Sequence, residues 1–282
     1  MEIEQLELLD ELVDKHNIRR IYDYLVSSSP LSSDNDEYIN ILRTAHRLAM
    51  KTEEYPYALR VALKLDDMEL ITQTFNTCSD PLEKMQLAIA LGRQRQVVET
   101  DDDNLTMLMS NTMLHEFYGK LAADLDLTKP KSPSDIYKAH LDEVDLNAML
   151  DSAQANLADT YVNAFVNLGS GKDTLMSKEE PWIANVSKEG IMAATASLGL
   201  INLWDIDGCT EAISDYLDVK DGYAKAGACM GLGLASTGIW SETDTAKGLL
   251  EDYLESPDMH VKLGSAVGLG LAYAGTARED FL

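Results

Sequence analysis

The sequence predicts an all-α fold of helical-hairpin repeats, an α-solenoid or the start of an α-toroid, preceded by a rod-like helical region. Three observations carry this expectation. Apolar residues recur at three- and four-residue spacing along most of the 282 residues, as one buried helix face requires. No stretch of β-branched residues alternates with period two, as a half-buried strand would. The C-terminal third also repeats itself at a spacing suited to stacked helix pairs.

Taken in order, Leu6, Leu9 and Val13 begin the periodic pattern, and Ile18, Ile21, Tyr22 and Leu25 continue it. Ser27 to Pro30 and Ser32 to Asp36 form a polar break. A third helix is expected through Ile39, Leu42, Ala45, Leu48 and Ala49. Pro56 suits the first turn of a fourth, where its missing N–H has no partner to lose. That helix carries Leu59, Ala62 and Leu63 and is expected to end near Asp66. Met68 to Phe75 and Leu82 to Arg93 read as two more. Glu99 to Asn104 holds four acids interrupted only by Thr100 and reads as a solvated loop. It lacks the alternating oxygen ligands and central Gly of a calcium loop. Helix is expected again over Leu105 to Leu125, then a break at Thr128 to Pro133. A helix over Asp151 to Val166 is closed by Gly169-Ser-Gly171.

From about Gly190 the chain copies itself. Lys225-Ala-Gly227-Ala-Cys-Met-Gly231-Leu-Gly233-Leu-Ala235 returns 37 residues later as Lys262-Leu-Gly264-Ser-Ala-Val-Gly268-Leu-Gly270-Leu-Ala272. The same shift carries Asp215-Tyr216-Leu217 onto Asp252-Tyr253-Leu254, and Asp221 onto Asp258. A looser copy, Ala194-Thr-Ala-Ser197-Leu-Gly199-Leu, comes before both. Gly and Ala at every fourth position strip one helix face bare. Interior Gly costs about 1 kcal/mol against Ala, and close backbone approach between neighbouring helices is the expected compensation. The second helix of each unit, Cys209 to Asp218 and Thr245 to Glu255, is amphipathic with an acidic outer face. Three regions follow: a helical region over 1–127, connecting helices and loops over 128–189, and the repeats over 190–282.

Composition narrows the function. There are 48 acidic and 23 basic residues, a formal net charge of −25. Such a surface repels phosphate backbones and anionic lipid, so neither nucleic acid nor a membrane is an expected partner. The acids serve solubility, attraction to a basic partner surface, or both. Cys78, Cys209 and Cys229 lie far apart without a CxxC pair, which fits a reducing compartment. The start, Met1-Glu-Ile-Glu4, lacks the basic, then apolar pattern of a signal peptide. No charge-free apolar run reaches the ~20 residues that span a bilayer. A soluble intracellular chain is expected.

Chemistry-bearing motifs fail on inspection. Gly169-Ser-Gly171-Lys172-Asp173 echoes a phosphate loop, but Val166 replaces the first Gly and Asp173 the metal-binding hydroxyl. Gly231-x-Gly233 has no third Gly at dinucleotide-binding spacing and no preceding strand. His16, His46, His115, His140 and His260 are scattered, and His115-Glu116 has no second His one helical turn on. Asn104-Leu-Thr106 and Asn185-Val-Ser187 match glycosylation acceptors that a cytosolic chain never presents to that machinery. No enzyme activity, cofactor or metal is expected.

The Gly/Ala-rich units resemble the proteasome/cyclosome repeat, most clearly in Leu269-Gly-Leu-Ala-Tyr-Ala-Gly275 followed by Arg278-Glu-Asp280. Four further blocks resemble the family of large non-ATPase scaffold subunits in the base of the proteasome regulatory particle. They are Leu59-Arg-x-Ala-Leu-x-Leu-x-Asp67-Met-Glu-Leu70, Lys131-Ser-Pro-Ser-Asp-Ile-Tyr137-Lys-x-His140-Leu, Asn156-Leu-Ala with Phe165-Val-Asn167, and Ala196-Ser-Leu-Gly-Leu-Ile-Asn-Leu-Trp204-Asp. The resemblance covers nearly the whole chain. Members are longer, so a central fragment is expected, its repeat array ending mid-unit at Glu279-Asp-Phe-Leu282. Divergence is expected at the acidic loop around Asp101 and over Gly169 to Trp182.

The resemblance implies a non-catalytic scaffold of the cytoplasm and nucleus. Its implied partners are proteasomal ATPase subunits, ubiquitin, the ubiquitin-like domains of shuttle proteins, and a deubiquitinase. In the family the receptor surface lies on outer helices of early repeats. The matching positions here are Asp215, Asp218, Glu242, Asp244, Glu251, Asp252 and Glu255. Ubiquitin offers an apolar patch ringed by basic residues, so carboxylates beside exposed aliphatics complement it. The alternative is a structural spacer that contacts the ATPase ring without binding ubiquitin, its acids serving solvation alone.

Overall fold

The computed structural model describes residues 3–32, 34–137, 152–176, 182–240 and 243–276. Every regular element among the described residues is helical, as the periodicity predicts. The chain forms two compact units, Met1–Ser110 and Asn111–Leu282.

Seven α-helices build the first unit: α1 (Ile3–Leu12), α2 (Ile18–Ser28), α3 (Asn35–Lys51), α4 (Tyr55–Leu65), α5 (Met68–Thr77), α6 (Pro81–Arg93) and α7 (Asp103–Met109). From α2 to α7 each helix packs against the next, and α1 packs against α3. Their apolar stripes merge into two cores. Tyr22, Leu25, Leu42, Leu48 and Val61 centre one, and Leu59, Ile71, Phe75, Leu87 and Leu91 the other.

Aspartates cap α3, α5, α6 and α7. Asp67 accepts from the N–H groups of Glu69 and Leu70, Asp80 from Glu83, and Asp102 from Asn104 and Leu105. Each satisfies donors that the first helical turn leaves unpaired. Part of the chain's acidity therefore serves capping. Asp66 closes α4 in the left-handed conformation, at φ 52°, where the sequence expects that helix to end.

Two expectations change here. The acidic run read as a loop supplies, in Asp102 and Asp103, the cap and first residue of α7. The single helix expected over Leu105 to Leu125 is two, α7 and α8 (Leu114–Asp124). Asn111 turns the chain between them at φ 61°, and its side-chain amide donates to the Gly238 carbonyl at 2.8 Å.

The second unit continues with α9 (Pro133–Tyr137), α10 (Ser152–Val166), α11 (Glu189–Ile201), α12 (Ile206–Asp218), α13 (Gly222–Ala235), α14 (Thr245–Leu250) and α15 (Met259–Ala272). The small-residue helices α11, α13 and α15 stack in that order, each against the next. Backbone approaches backbone along the stack. A Cβ on Gly199 would lie 1.9 Å from the Gly231 carbonyl oxygen, and one on Gly233 would lie 2.1 Å from that of Gly268. Gly264 faces the Ala226 carbonyl in the same way, at 2.4 Å. The glycine stripe is thus the contact surface between repeats. The propensity lost in each helix is offset by interhelical packing that any side chain would exclude.

Candidate protein-docking surface

Outside this stack lie α12 and, one repeat later, α14 followed by a 3-10 turn over Glu251–Glu255. Each leads into an inner helix with an aspartate cap. Asp205 caps α12 by accepting from the Gly208 N–H at 2.9 Å. Asp221 caps α13, accepting from Tyr223 and Ala224, and Asp258 caps α15, accepting from His260. The Asp221/Asp258 match seen in sequence is therefore a repeated N-cap, which fixes the turn between outer and inner helix.

The Asp-Tyr-Leu triplets divide between core and solvent. Tyr216, Leu217, Tyr253 and Leu254 pack against the core built from Cys209, Ile213, Cys229, Leu232 and Leu250. Asp215, Asp218, Glu251, Asp252 and Glu255 are exposed. Burial pushes the Tyr253 phenol above its usual range, and the carboxylates of Asp218 and Asp252 push the same way. Tyr253 thus lies within the field of acids from two successive repeats. Tyr216 is raised first by burial, then by Asp173 and Asp215. Five of the seven expected acids lie exposed on two successive outer segments, each with a half-buried tyrosine packed on the core.

Asp244 is placed differently. It is half-buried in the left-handed region at φ 46°, and its carboxylate accepts from the Tyr273 hydroxyl at 3.3 Å. That hydroxyl also accepts from the Lys247 N–H at 3.1 Å, so Asp244 helps to join α14 to the end of α15. Glu242 lies outside the described residues. Sequence periodicity missed the apolar part of this surface. Val219 and Leu249 are 38% and 39% exposed, immediately beside Asp218 and close to Glu251. Their signal was a large aliphatic at the end of an amphipathic helix, on its polar side.

The remaining reactive groups are engaged elsewhere. The Cys209 and Cys229 thiols are pushed up to about 12, in both cases chiefly by burial, so they stay protonated and packed. The phosphate-loop echo folds inward. The N–H groups of Gly169 and Gly171 donate to the carbonyls of Leu200 and Ile201, and the Asp173 carboxylate accepts from the Asn163 amide and the Leu175 N–H. No group of three or more His, Cys, Asp or Glu among the described residues is arranged to hold a metal ion. No described helix is long and apolar enough to cross a membrane.

The sequence profile of the RPN1 N-terminal domain matches residues 1–142, half of the chain. The chain belongs to the RPN1 N-terminal domain family. Similarity to curated proteins extends through the repeats. The chain is 39% identical over 287 residues to the 26S proteasome non-ATPase regulatory subunit 2 of Dictyostelium discoideum, covering 100% of this chain and 32% of that protein. It is 38% identical to homolog A of the same subunit from Arabidopsis thaliana, over 86% of this chain and 29% of the relative. The 26S proteasome regulatory subunit RPN1 of Candida glabrata is 37% identical, over 89% and 25%. The chain therefore spans about a third or less of the relatives it matches. The family match falls on the helical region, while the relatives also cover the repeats.

Proposed function

We propose that this chain is part of a non-catalytic scaffold of a proteasome regulatory particle. It acts in ubiquitin-dependent protein degradation in the cytoplasm and nucleus, and it docks ubiquitin and ubiquitin-like domains on its outer helices. The observation that carries the reading is the pair of outer segments, α12 and residues 245–255. They present Asp215, Asp218, Glu251, Asp252 and Glu255 to solvent with Val219 and Leu249 beside them. A small basic-rimmed domain with an apolar centre is the complementary partner. The carboxylates steer and orient it, and the aliphatics supply the contact that persists. The glycine-packed stack behind them keeps the two segments at a fixed separation, so little ordering is needed on docking. ATPase subunits and a deubiquitinase are further partners on this reading, by similarity to the proteasome subunits.

Binding of a fluorescently labelled ubiquitin-like domain tests the proposal. Neutralising Asp215, Asp218 and Asp252 together as Asn is expected to weaken binding about tenfold and to flatten its salt dependence, since exposed charges act mainly through screened attraction. Unchanged affinity in the triple variant favours the structural-spacer reading.

A further inference from the structure

A second surface differs in kind from the acidic one. A cavity of about 430 Å³ opens between the end of α8, the 127–131 segment and the loop after α10. Its apolar floor includes Leu121, Leu125, Leu127 and Leu168, and three lysines, Lys129, Lys131 and Lys172, line it. Leu121, Leu125 and Leu127 are 55%, 58% and 60% exposed. Indeed α8 has no fully buried side chain, although Phe117, Leu121 and Leu125 recur at four-residue spacing along it and past its end.

The cavity is built rather than incidental. Asn167 holds the lysine-bearing segment through both backbone groups of Lys131: its side-chain oxygen accepts from the Lys131 N–H at 2.9 Å, and its amide donates to the Lys131 carbonyl at 2.9 Å. Asn167 itself is 2% exposed. Thr174 adds a bond to the same carbonyl at 3.2 Å, and the Lys172 ammonium donates to the Thr128 carbonyl at 3.2 Å. No ion pair joins these lysines to a described carboxylate. The acids nearest in sequence, Asp126, Asp135 and Asp173, are not among the lining residues. In a chain of net charge −25, this is a local positive rim around an apolar floor.

We infer that this cavity docks an acidic peptide segment of a partner protein, one whose carboxylates alternate with bulky apolar residues. The charge pattern selects the occupant. A basic segment gains nothing from the lysines, and a purely acidic one leaves the leucines exposed. A segment carrying both fills the floor with its apolar side chains while its carboxylates reach the three ammoniums. This surface is separate from α12 and residues 245–255, and it recognises the opposite charge.

The test uses the full chain and a labelled dodecapeptide that alternates Asp and Glu with Leu and Phe. Controls are the same peptide with Lys replacing every acid, and phosphatidylcholine vesicles containing a phosphoinositide. Saturable binding of the acidic peptide is expected in fluorescence anisotropy, with none for the basic one. It should weaken about tenfold or more in a Lys129→Glu, Lys131→Glu double variant and in Leu125→Ser. All three side chains are exposed, so these variants keep the fold, which circular dichroism verifies. Equal binding of both peptides, unchanged affinity in either variant, or binding to the vesicles but not to the acidic peptide would each overturn the inference.

Discussion

Replacing Gly233 by Ala tests the packing of the repeats, because the same change one repeat later should have the opposite sign. A Cβ at Gly233 would sit 2.1 Å from the Gly268 carbonyl oxygen, 2.4 Å from its Cα and 2.5 Å from its carbonyl carbon. All three are backbone atoms of a packed helix, so no rotamer change relieves the overlap. To reach van der Waals distance, α13 and α15 must separate by roughly 1 Å, which loosens contacts along the whole interface. Overpacking of this kind costs about 1–3 kcal/mol, occasionally more. Against that, Ala gains about 1 kcal/mol of helix propensity over Gly. The net expectation is a loss of up to about 2 kcal/mol. Gly270 is the equivalent residue, 37 positions on, and nothing lies within 4 Å of where its Cβ would be. There Ala keeps the propensity gain, so Gly270→Ala should be stabilising by up to about 1 kcal/mol. Urea unfolding followed by tryptophan fluorescence reads the right unit, since Trp182, Trp204 and Trp240 all lie within Asn111–Leu282. The midpoint should fall for Gly233→Ala and rise for Gly270→Ala with unchanged slope. Equal shifts, or a Gly233→Ala variant at least as stable as the parent, would refute backbone contact as the reason for the glycine stripe.

Three further outcomes follow from single sites. Removing the repeated N-cap with Asp221→Ala should cost about 1 kcal/mol in the same unfolding assay, since two N–H groups of α13 lose their acceptor. With their thiols pushed up to about 12, Cys209 and Cys229 should resist iodoacetamide at pH 8 in the native chain. Mass spectrometry should find both alkylated once urea unfolds it. His46 is buried with its Nε2 2.9 Å from the Thr74 hydroxyl, and burial first of all lowers its pKa from 6.5. A depressed folded pKa means the unfolded chain takes up the proton more readily, so stability is fully present above about pH 6.5 and is lost as pH falls through the folded value. Unfolding midpoints measured from pH 8 to pH 5 should decline on the acid side, and a His46→Gln variant should decline less.

The legible parts of the fold rest on repetition and on local pattern. The 37-residue copy displayed the stacked helices, the close approach at the glycines and the Asp221/Asp258 match, because each is a short-range requirement met twice. Helix ends with their own signals, such as Pro56 and Asp66, were equally readable. What stayed hidden depends on distant partners. Nothing between Leu105 and Leu125 forbids a helix, and the turn at Asn111 is held by a bond to Gly238, 127 residues away. The second outer segment was expected to be helical through Glu255, yet it tightens to a 3-10 turn after Leu250. There the Ser265 hydroxyl donates to the Leu250 carbonyl at 2.6 Å, removing an acceptor from the helical ladder. The earlier copy carries Ala228 at the matching position, and α12 runs unbroken.

The candidate surface was legible in part for the same reason. The resemblance pointed to the outer segments, and the exposure of Asp215, Asp218, Glu251, Asp252 and Glu255 follows from the amphipathic spacing of those segments. The inward bond of Asp244 to Tyr273 does not, because those residues lie 29 positions apart and meet only when α15 folds back. The lysine-rimmed cavity was invisible for a related reason. Lys129 and Lys131 lie more than 40 residues before Lys172, and the cavity forms only when Asn167 joins the two segments.

Amide mapping tests the docking role of the outer helices most directly. The isotope-labelled chain would be titrated with unlabelled ubiquitin, and separately with a ubiquitin-like domain, by two-dimensional NMR. Shifts are expected to concentrate on Asp215, Asp218, Val219, Leu249, Glu251, Asp252 and Glu255, while the amides of the inner helices α11 and α13 stay in place. If the outer-segment amides remain unmoved at saturating ligand, or if the shifts gather elsewhere, those acids are solvated surface and the docking role does not belong to them.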